Sequence, residues 1–404
     1  MPFDLLVSGG IVLDPETGSR TQADVGISDG RVRAVEPGLT GTQATEHLDA
    51  GGAFVIPGLV DAHTHVYPGA TPLGVDPGAL AAAMGVTTWI DAGSAGAGNF
   101  EGLVRFVIER SPLTIRAFVH LSYVGLVPVG HAEQRFGELF DLRLADVPAC
   151  IRTIQAFVPL TLGVKVRLGA NSTGAHGMDA LRSGRAVADA TGTRLMVHIA
   201  EPPPLLDDVL PYLREGDLVA HCFTAGLMGI LDRTGTLRES VLRARDRGVL
   251  FDVGHGNGSF SFAVARQALA QGFAPDLISS DLHAYNVDGP VFDLVTTITK
   301  FLALGMPFED ALRRASSVPG ALIGDGVGTL RVGLRADLAV VRLVREHVTL
   351  GDSRGDLLTH DERLVVDATV VAGRRLRPDP DARPQGRRKP GLPPVDARLT
   401  RPPT

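Results

Sequence analysis

Two histidines one residue apart end an apolar run, Val55-Ile56-Pro57-Gly58-Leu59-Val60-Asp61-Ala62-His63-Thr64-His65. Side chains alternate faces along a strand, so His63 and His65 would leave a strand on the same side at its C-terminal end, which is the geometry of two ligands on one metal. Such a pair is more often two ordinary histidines than a metal site, so partners elsewhere decide its meaning. Further along, Gly163-Val164-Lys165-Val166-Arg167-Leu168 alternates, with the apolar residues at even positions. If those face outward, Lys165 and Arg167 face the interior. A buried lysine without a partner costs several kcal/mol or loses its proton. Two outcomes are open for Lys165: an ion pair with an inward carboxylate, or a neutral amine that captures carbon dioxide as a carbamate, an anionic ligand able to bridge two metals. His198 ends Leu195-Met196-Val197-His198, His221 ends Leu218-Val219-Ala220-His221, and Asp281 ends Leu277-Ile278-Ser279-Ser280-Asp281. Four histidines, one lysine and one aspartate would then converge from strands one, four, five, six and eight.

The elements that must position them read as βα units. After the opening strand, apolar segments at Val86 to Asp91, Ile115 to Leu121, Gly163 to Leu168, Arg194 to His198, Leu218 to His221, Val249 to Val253 and Leu277 to Asp281 bring the count to eight. Amphipathic stretches separate them, among them one that starts at Asp76-Pro77 and stops at Gly85, and another from Ser261 to Gln271 before Gly272. The expected fold is α/β, a (β/α)8 TIM barrel over 55–324. Before it lie short strands at Leu5 to Val7, Ile11 to Leu13, Asp24 to Ile27 and Arg31 to Val35, with Gly9-Gly10 and Asp29-Gly30 as hairpin signals. Strand-like segments return at Ala336 to Val341 and Leu364 to Val371. Residues 1–54 and 325–376 are therefore expected to form one small β-sandwich domain built from both chain termini. The stretch 377–404 is a Pro/Arg-rich tail with too little apolar content to fold alone.

Composition narrows the function classes. The chain has 404 residues, of which 44% are hydrophobic and 21% charged, enough for a large core. A formal net charge of −6 offers no basic field to attract phosphate backbones, so nucleic acid is not an expected partner. Apolar runs are short and broken, and Met1-Pro2-Phe3-Asp4 lacks the basic and apolar regions of a signal peptide, so no membrane association is expected. With only Cys150 and Cys222, a disulfide framework is not expected and a reducing, cytoplasmic setting is.

The ordered set of motifs resembles the amidohydrolase superfamily, in its binuclear subtype with a carboxylated lysine. The likeness runs through Pro57 to His65, Gly85-Val86-Thr87-Thr88, Lys165, His198, His221, Asp281 and Gly333-Leu334-Arg335-Ala336-Asp337-Leu338. It implies that His63, His65 and Asp281 bind the more buried of two divalent metals, that His198 and His221 bind the other, and that a CO2-derived carbamate on Lys165 bridges them. Imidazole and carboxylate ligands point to zinc. Asp91-Ala92-Gly93-Ser94-Ala95-Gly96, Gly254-His255-Gly256 and Ser280-Asp281-Leu282-His283 are similar to the deacetylase branch, whose members are often mislabelled dihydroorotase and include esterases of acetylated α-hydroxy acids. True dihydroorotases usually follow the histidine pair with Leu-Arg, the arginine gripping the substrate carboxylate; Val66-Tyr67 stand here instead.

The resemblance implies a metal-dependent hydrolase that cleaves an ester or amide, an acyl or acetyl group, of a small carboxylate-bearing substrate by a metal-bridging hydroxide. Asp281 would carry the proton to the leaving atom. The residual positive charge of such a centre favours an anionic small molecule. Arg167 would bind that anion or pair with a wall acid. His255, Asn257, His283, Tyr123, Ser94 and Asn286, all in loops at strand ends, are further candidates for substrate contact. A homo-oligomer is compatible with the fold. Two other functions remain open: a cyclic amide hydrolase of dihydroorotase, hydantoinase or imidase type, and a non-catalytic scaffold that keeps the barrel for assembly. Scaffolds usually lose ligands, and this chain keeps all six.

Overall fold

The computed structural model describes residues 2–129 and 137–377; the expected tail, apart from Arg377, lies outside the described residues. Seven strands open the chain: β1 (Phe3–Ser8), β2 (Ile11–Leu13), β3 (Arg20–Gln22), β4 (Asp24–Ser28), β5 (Arg31–Glu36), β6 (Ala44–Asp49) and β7 (Phe54–Pro57). Seven more follow in the centre: β8 (Leu59–Thr64), β9 (Val86–Asp91), β10 (Thr114–His120), β11 (Thr161–Leu168), β12 (Arg194–Ile199), β13 (Leu218–Ala220) and β14 (Leu250–Asp252). The last three are β15 (Leu338–Gly351), β16 (Leu357–Val371) and β17 (Arg374–Arg375).

Two sheets sandwich a core of their own. One is ordered β5-β4-β1-β6, and the other, β17-β16-β15-β7-β2-β3, joins strands from both ends of the chain. Leu5, Val7, Val25 and Ile27 of the first sheet pack on Val12, Val55, Leu338, Val340 and Val370 of the second. Asp29-Gly30 makes the expected hairpin, both residues having positive φ as the tight turn between β4 and β5 requires. Gly9-Gly10 does not. β1 and β2 lie in different sheets, and the glycines carry the chain from one to the other where a Cβ on Gly10 would lie 2.7 Å from Val55 and 2.9 Å from Ala50. A hairpin signal in sequence cannot distinguish a turn within a sheet from a crossing between two.

β15 and β16 run well beyond the apolar segments visible in sequence. Their outer halves are too charged to read as strand, yet cross-strand pairs hold them: Arg342 to Asp367 at 2.6 Å, Arg363 to Glu346 at 2.6 Å and His347 to Asp361 at 2.7 Å. The resulting hairpin stands up from the sandwich along the barrel wall.

In the centre, β8 to β14 form one parallel sheet in chain order. Helices fall where the punctuation placed them: Pro77–Met84 with Asp76 capping its N-terminus and Gly85 its C-terminus, and Phe262–Ala270 capped by Ser261. Val164, Val166, Leu195 and Val197 join the large apolar cluster that includes the helix residues Ala180 and Leu181. On the opposite face Val60, Ile90, Phe118, Met196 and Leu218 form a second cluster that fills the barrel below its mouth. Among the described residues no helix is long and apolar enough to cross a membrane.

The eighth strand is where the structure departs from expectation. Leu277 to Leu282 closes the gap between β14 and β8 without forming a continuous strand: beside isolated bridges from Leu277 to Asp252 and from Leu282 to Thr64, its carbonyls accept the Val253 amide at 3.0 Å, the His255 amide at 3.3 Å and the His65 amide at 3.0 Å. Side chains add to these bonds, and toward β8 they stand in for the ladder. Asp61 Oδ1 accepts from the Ser280 amide at 3.0 Å and its Oδ2 from the Ser280 hydroxyl. Ser279 donates its hydroxyl to Asp252 while accepting from the Gly254 amide at 3.0 Å. Polar side chains that satisfy neighbouring backbone groups compete with regular pairing. Asp61 is fully buried, and burial pushes its carboxyl up to about 7, against the opposing pull of the Ser280 hydrogen bonds. Ser280→Ala should therefore lower stability by about 1–3 kcal/mol, because it strips a donor from a buried carboxyl. Urea unfolding of metal-loaded protein measures this, and an unchanged midpoint would mean that the closure does not depend on that bond.

Candidate active site

The C-terminal ends of β8, β11, β12 and β13 and the closing segment surround a cavity of about 240 Å³. His63, His65, Lys165, His198, His221 and Asp281 all line it, as do Arg167 and His283. His63, His65 and Asp281 form the tightest group, with one ligand atom from each lying within 4.8 Å of the others. Asp281 Oδ1 is 3.2 Å from His65 Nε2 and 3.5 Å from His63 Nε2. His198 and His221 stand together on the next two strand ends, ring centroids 4.4 Å apart.

Three of the four histidines are aimed by what the other ring nitrogen touches. His63 Nδ1 lies 2.9 Å from Asp252 Oδ2, His65 Nδ1 3.0 Å from Ser94 Oγ, and His221 Nδ1 2.7 Å from the Gly254 carbonyl. This leaves the Nε2 atoms for the cavity, as metal-ligating histidines require. His221 Nε2 is buried with no hydrogen-bond partner among the described residues, and Asp281 Oδ1 likewise, which is the condition of ligands rather than of satisfied core groups. His221 and Asp281 also hold positive φ of 70° and 50°. That backbone conformation is unusual outside glycine and concentrates at functional sites. Gly254 is needed here because a Cβ would come within 2.8 Å of His221 Nδ1 and 2.9 Å of His63 Nδ1.

Lys165 is 1% exposed, and no carboxylate lies within ion-pair distance of it among the described residues. Its closest polar neighbour is His63 Nε2 at 3.5 Å. Burial pushes the ammonium down to about 7, with Asp281 and Asp252 opposing. Burial likewise holds His63 and His198 well below the usual imidazole range and His221 at about 3, so these rings are neutral donors of lone pairs. Burial disfavours ionisation of Asp281, but His63 and the other histidines around it outweigh this and keep its carboxyl well below the usual range. Neutral imidazoles, an ionised carboxylate and a deprotonatable lysine are the protonation states that a divalent metal needs.

The remaining candidates separate. Arg167 lines the cavity, but its guanidinium is bound to Glu138, whose side chain is 1% exposed. His283 lines it as well and accepts the Tyr285 amide at Nδ1 (3.1 Å), so its ring proton sits on Nε2. Asn257 lines it too, whereas His255 does not. His255 is buried, stacked on Phe260 at 4.5 Å, with Nδ1 2.8 Å from the Gly256 carbonyl and Nε2 2.7 Å from Lys300 Nζ. Asn286 is inside the closing turn, accepting from the His283 amide at 2.9 Å and donating to the Asp281 carbonyl at 2.8 Å. Tyr123 is 44% exposed outside the cavity. Tyr67 bonds the Asn99 carbonyl at 3.1 Å, also outside it.

Several functional residues went unnoticed in sequence. Asp252 ends β14 and aims His63; the signal was an acid closing an apolar strand, together with the need of a ligating imidazole for an acceptor. His120 ends β10 as the register partner of Lys165, fully buried, with its Nδ1 accepting from the Ser122 amide at 2.9 Å. Arg354 reaches the cavity from the turn of the β15–β16 hairpin, which no local pattern could place over the barrel.

These features sort with known proteins. No family model matches the chain. A deacetylase of Agrobacterium fabrum is 37% identical over 367 residues, covering 89% of each chain. Two solved structures superpose over most of the chain: one titled a dihydroorotase (TM-score 0.84, 34% identity, 93% of this chain and 99% of the other) and one titled an adenine deaminase (TM-score 0.85, 28% identity, 92% and 99%). The fold is that of the amidohydrolase superfamily, whose TIM barrel carries a separate β domain. Within it the chain belongs to the family of the Agrobacterium deacetylase, and it is a hydrolytic enzyme of metal-dependent type.

Lys300 provides a test of the buried network beside the site. It is fully buried, bonded to His255 and, at 2.8 Å, to the Pro290 carbonyl. Burial pushes its ammonium down to about 7. An unfolded lysine titrates near 10.4, so between about pH 7 and 10 the unfolded chain holds a proton that the folded one lacks, and stability from this group rises with pH. In Lys300→Met that rise is absent. The melting temperature of wild type minus that of Lys300→Met should increase from pH 7 to 9.5; a difference independent of pH would mean that Lys300 stays charged.

Proposed function

We propose that the chain hydrolyses an acyl group, acetyl foremost, from the oxygen or nitrogen of a small carboxylate-bearing molecule. His63, His65 and Asp281 would hold one divalent ion, zinc by ligand type, and His198 and His221 a second, with a carbamate on Lys165 between them. The observation that carries this reading is Lys165 itself, buried beside His63 with no carboxylate within ion-pair distance among the described residues, a position that suits a neutral amine able to take up carbon dioxide. The kinship to a deacetylase supports the acyl group. When bound, the ions supply Lewis acidity to the acyl carbonyl and acidify water. Asp281 would accept that water's proton and return it to the leaving oxygen or nitrogen. Asp252, through His63 Nδ1, and Ser94, through His65 Nδ1, would keep the two rings turned toward the ion. Leu73, Val129, Ile199 and Met228 give the cavity an apolar wall suited to a short acyl chain. Tyr67 turned away from the cavity leaves that position without a cation, which counts against dihydroorotate. Cys150 and Cys222, both buried and free, favour a reducing compartment, the cytoplasm.

Metal-loaded protein should hold about two divalent ions per chain, as six convergent ligands allow. Lys165→Ala should lose most metal and activity, and a short carboxylate in solution should restore part of both. Lys165→Arg should not respond, because its side chain fills the space. A folded protein that held no metal after treatment with zinc and bicarbonate would remove the site. Asp281→Asn should cut turnover by at least roughly 10²-fold, the usual cost of lost acid/base catalysis, while metal content falls less. The activity itself is read from a panel: α-acetoxy and N-acetyl carboxylates should be cleaved with kcat/KM well above dihydroorotate and hydantoins. Faster turnover of dihydroorotate than of every acyl substrate would reverse the assignment.

A further inference from the structure

We propose that Arg354, delivered by the β15–β16 hairpin, is the group that binds the substrate's carboxylate; this rests on the acyl-carboxylate reading above. Among the described residues, three Lys or Arg side chains line the cavity: Lys165, Arg167 and Arg354. Lys165 belongs to the metal centre. Arg167 is already matched by Glu138 on the cavity wall, so an incoming anion would have to compete with a buried carboxylate for it. Arg354 is different. No acid lies within ion-pair distance of it among the described residues, although Glu201 also lines the cavity.

Its backbone is fixed in place. Asp352 Oδ1 accepts the amides of Arg354 at 2.7 Å and Asp356 at 3.0 Å, while Oδ2 accepts the Phe262 amide at 2.9 Å. Ser353 donates its hydroxyl to the Gly256 carbonyl at 2.8 Å and its amide to the Phe260 carbonyl at 3.1 Å. The turn is thus stapled, through the two residues before Arg354, to the chain after β14, which includes the Gly254 carbonyl that aims His221. Asn257, Gly258 and Ser259 of that loop line the cavity beside it. A planar guanidinium at a cavity rim, with no acid within ion-pair distance among the described residues, matches a carboxylate through two parallel hydrogen bonds. The acyl carbonyl of the same molecule can then reach the histidine cluster while its acid end stays at the mouth.

The test compares two substrates with the same acyl group, O-acetyl lactate and its neutral analogue O-acetyl lactamide, on full-length metal-loaded enzyme. Arg354→Met should raise KM for O-acetyl lactate by about tenfold or more, with a smaller effect on kcat, and should leave KM for the lactamide within twofold, as expected when one charge-assisted pair is lost. Arg354→Lys should recover part of the loss. Arg167→Met should weaken both substrates alike, since it uncovers Glu138. An unchanged KM for the anion in Arg354→Met, or an equal loss on both substrates, would overturn the assignment. If wild type cleaves neither substrate, the acyl-hydrolase reading fails separately, and calorimetry still decides: lactate should bind Arg354→Met about tenfold more weakly than wild type, and lactamide equally. Equal lactate affinity would overturn the role of Arg354.

Discussion

The site depends on how the barrel is closed. An ordinary eighth strand would satisfy its backbone against both neighbours and end with its last side chain in line with the rest. The segment Leu277 to Leu282 instead keeps backbone bonds to Val253 and His255 on one side and, toward β8, exchanges ladder bonds for side-chain bonds from Ser280 to Asp61, with Ser279 bonded to Asp252 as well. That exchange lets the chain turn at Asp281 with φ 50° and place its carboxylate between His63 and His65. Asn286 then ties the Asp281 carbonyl to the His283 amide through its two side-chain ends. The strained residue is therefore held from both sides, the condition under which a positive φ persists outside glycine.

The same two acids carry a second constraint. Burial pushes Asp61 up to about 7 and Asp252 up to about 6, so each is expensive to ionise and relies on its hydrogen bonds. Asp252 divides its oxygens between Ser279 and His63 Nδ1. Barrel closure and ligand aim thus pass through one carboxyl group. A change at Ser279 would be felt at His63, although no bond joins those residues.

Much of this was legible in sequence, and the reasons differ by residue. His63, His65, Lys165, His198 and His221 could be placed because strand parity is local, and a strand end fixes which way a side chain leaves it. Arg167 was placed by the same parity, but its partner Glu138 was not, because that contact bridges residues far apart in sequence. His255 looked like a substrate contact for its glycine-rich loop, yet that loop turns it back onto Lys300 of the helix Leu294–Ala303, whose position no local pattern reveals. Asp281 was found at the end of a segment that closes the barrel as expected but pairs irregularly: apolar residues bounded by polar ones mark extended chain, not which bonds come from backbone and which from side chains. The outer halves of β15 and β16 were missed because their charged residues mask the apolar positions, Leu343, Val348, Leu350, Leu358 and Leu364, that pack on the core, and only pairing shows that the charges match across the strands.

That hairpin also explains why the two ends of the chain must meet. β7, which leads directly into β8 and the histidine pair, is paired on one side with β2 and on the other with β15. The base of the hairpin is thereby fixed to the first barrel strand, while its tip is fixed by Asp352 and Ser353 to the loop after the seventh. One antiparallel ribbon spans the barrel from the foot of its first strand to the mouth beside its last. Its outer half packs Leu350 and Leu364 into the large core cluster, with Leu343, Val348 and Leu358 against it, and it carries the turn to the height at which Asp352 meets the Phe262 amide. The β unit is thus part of the site's geometry as well as a cover for the barrel's base.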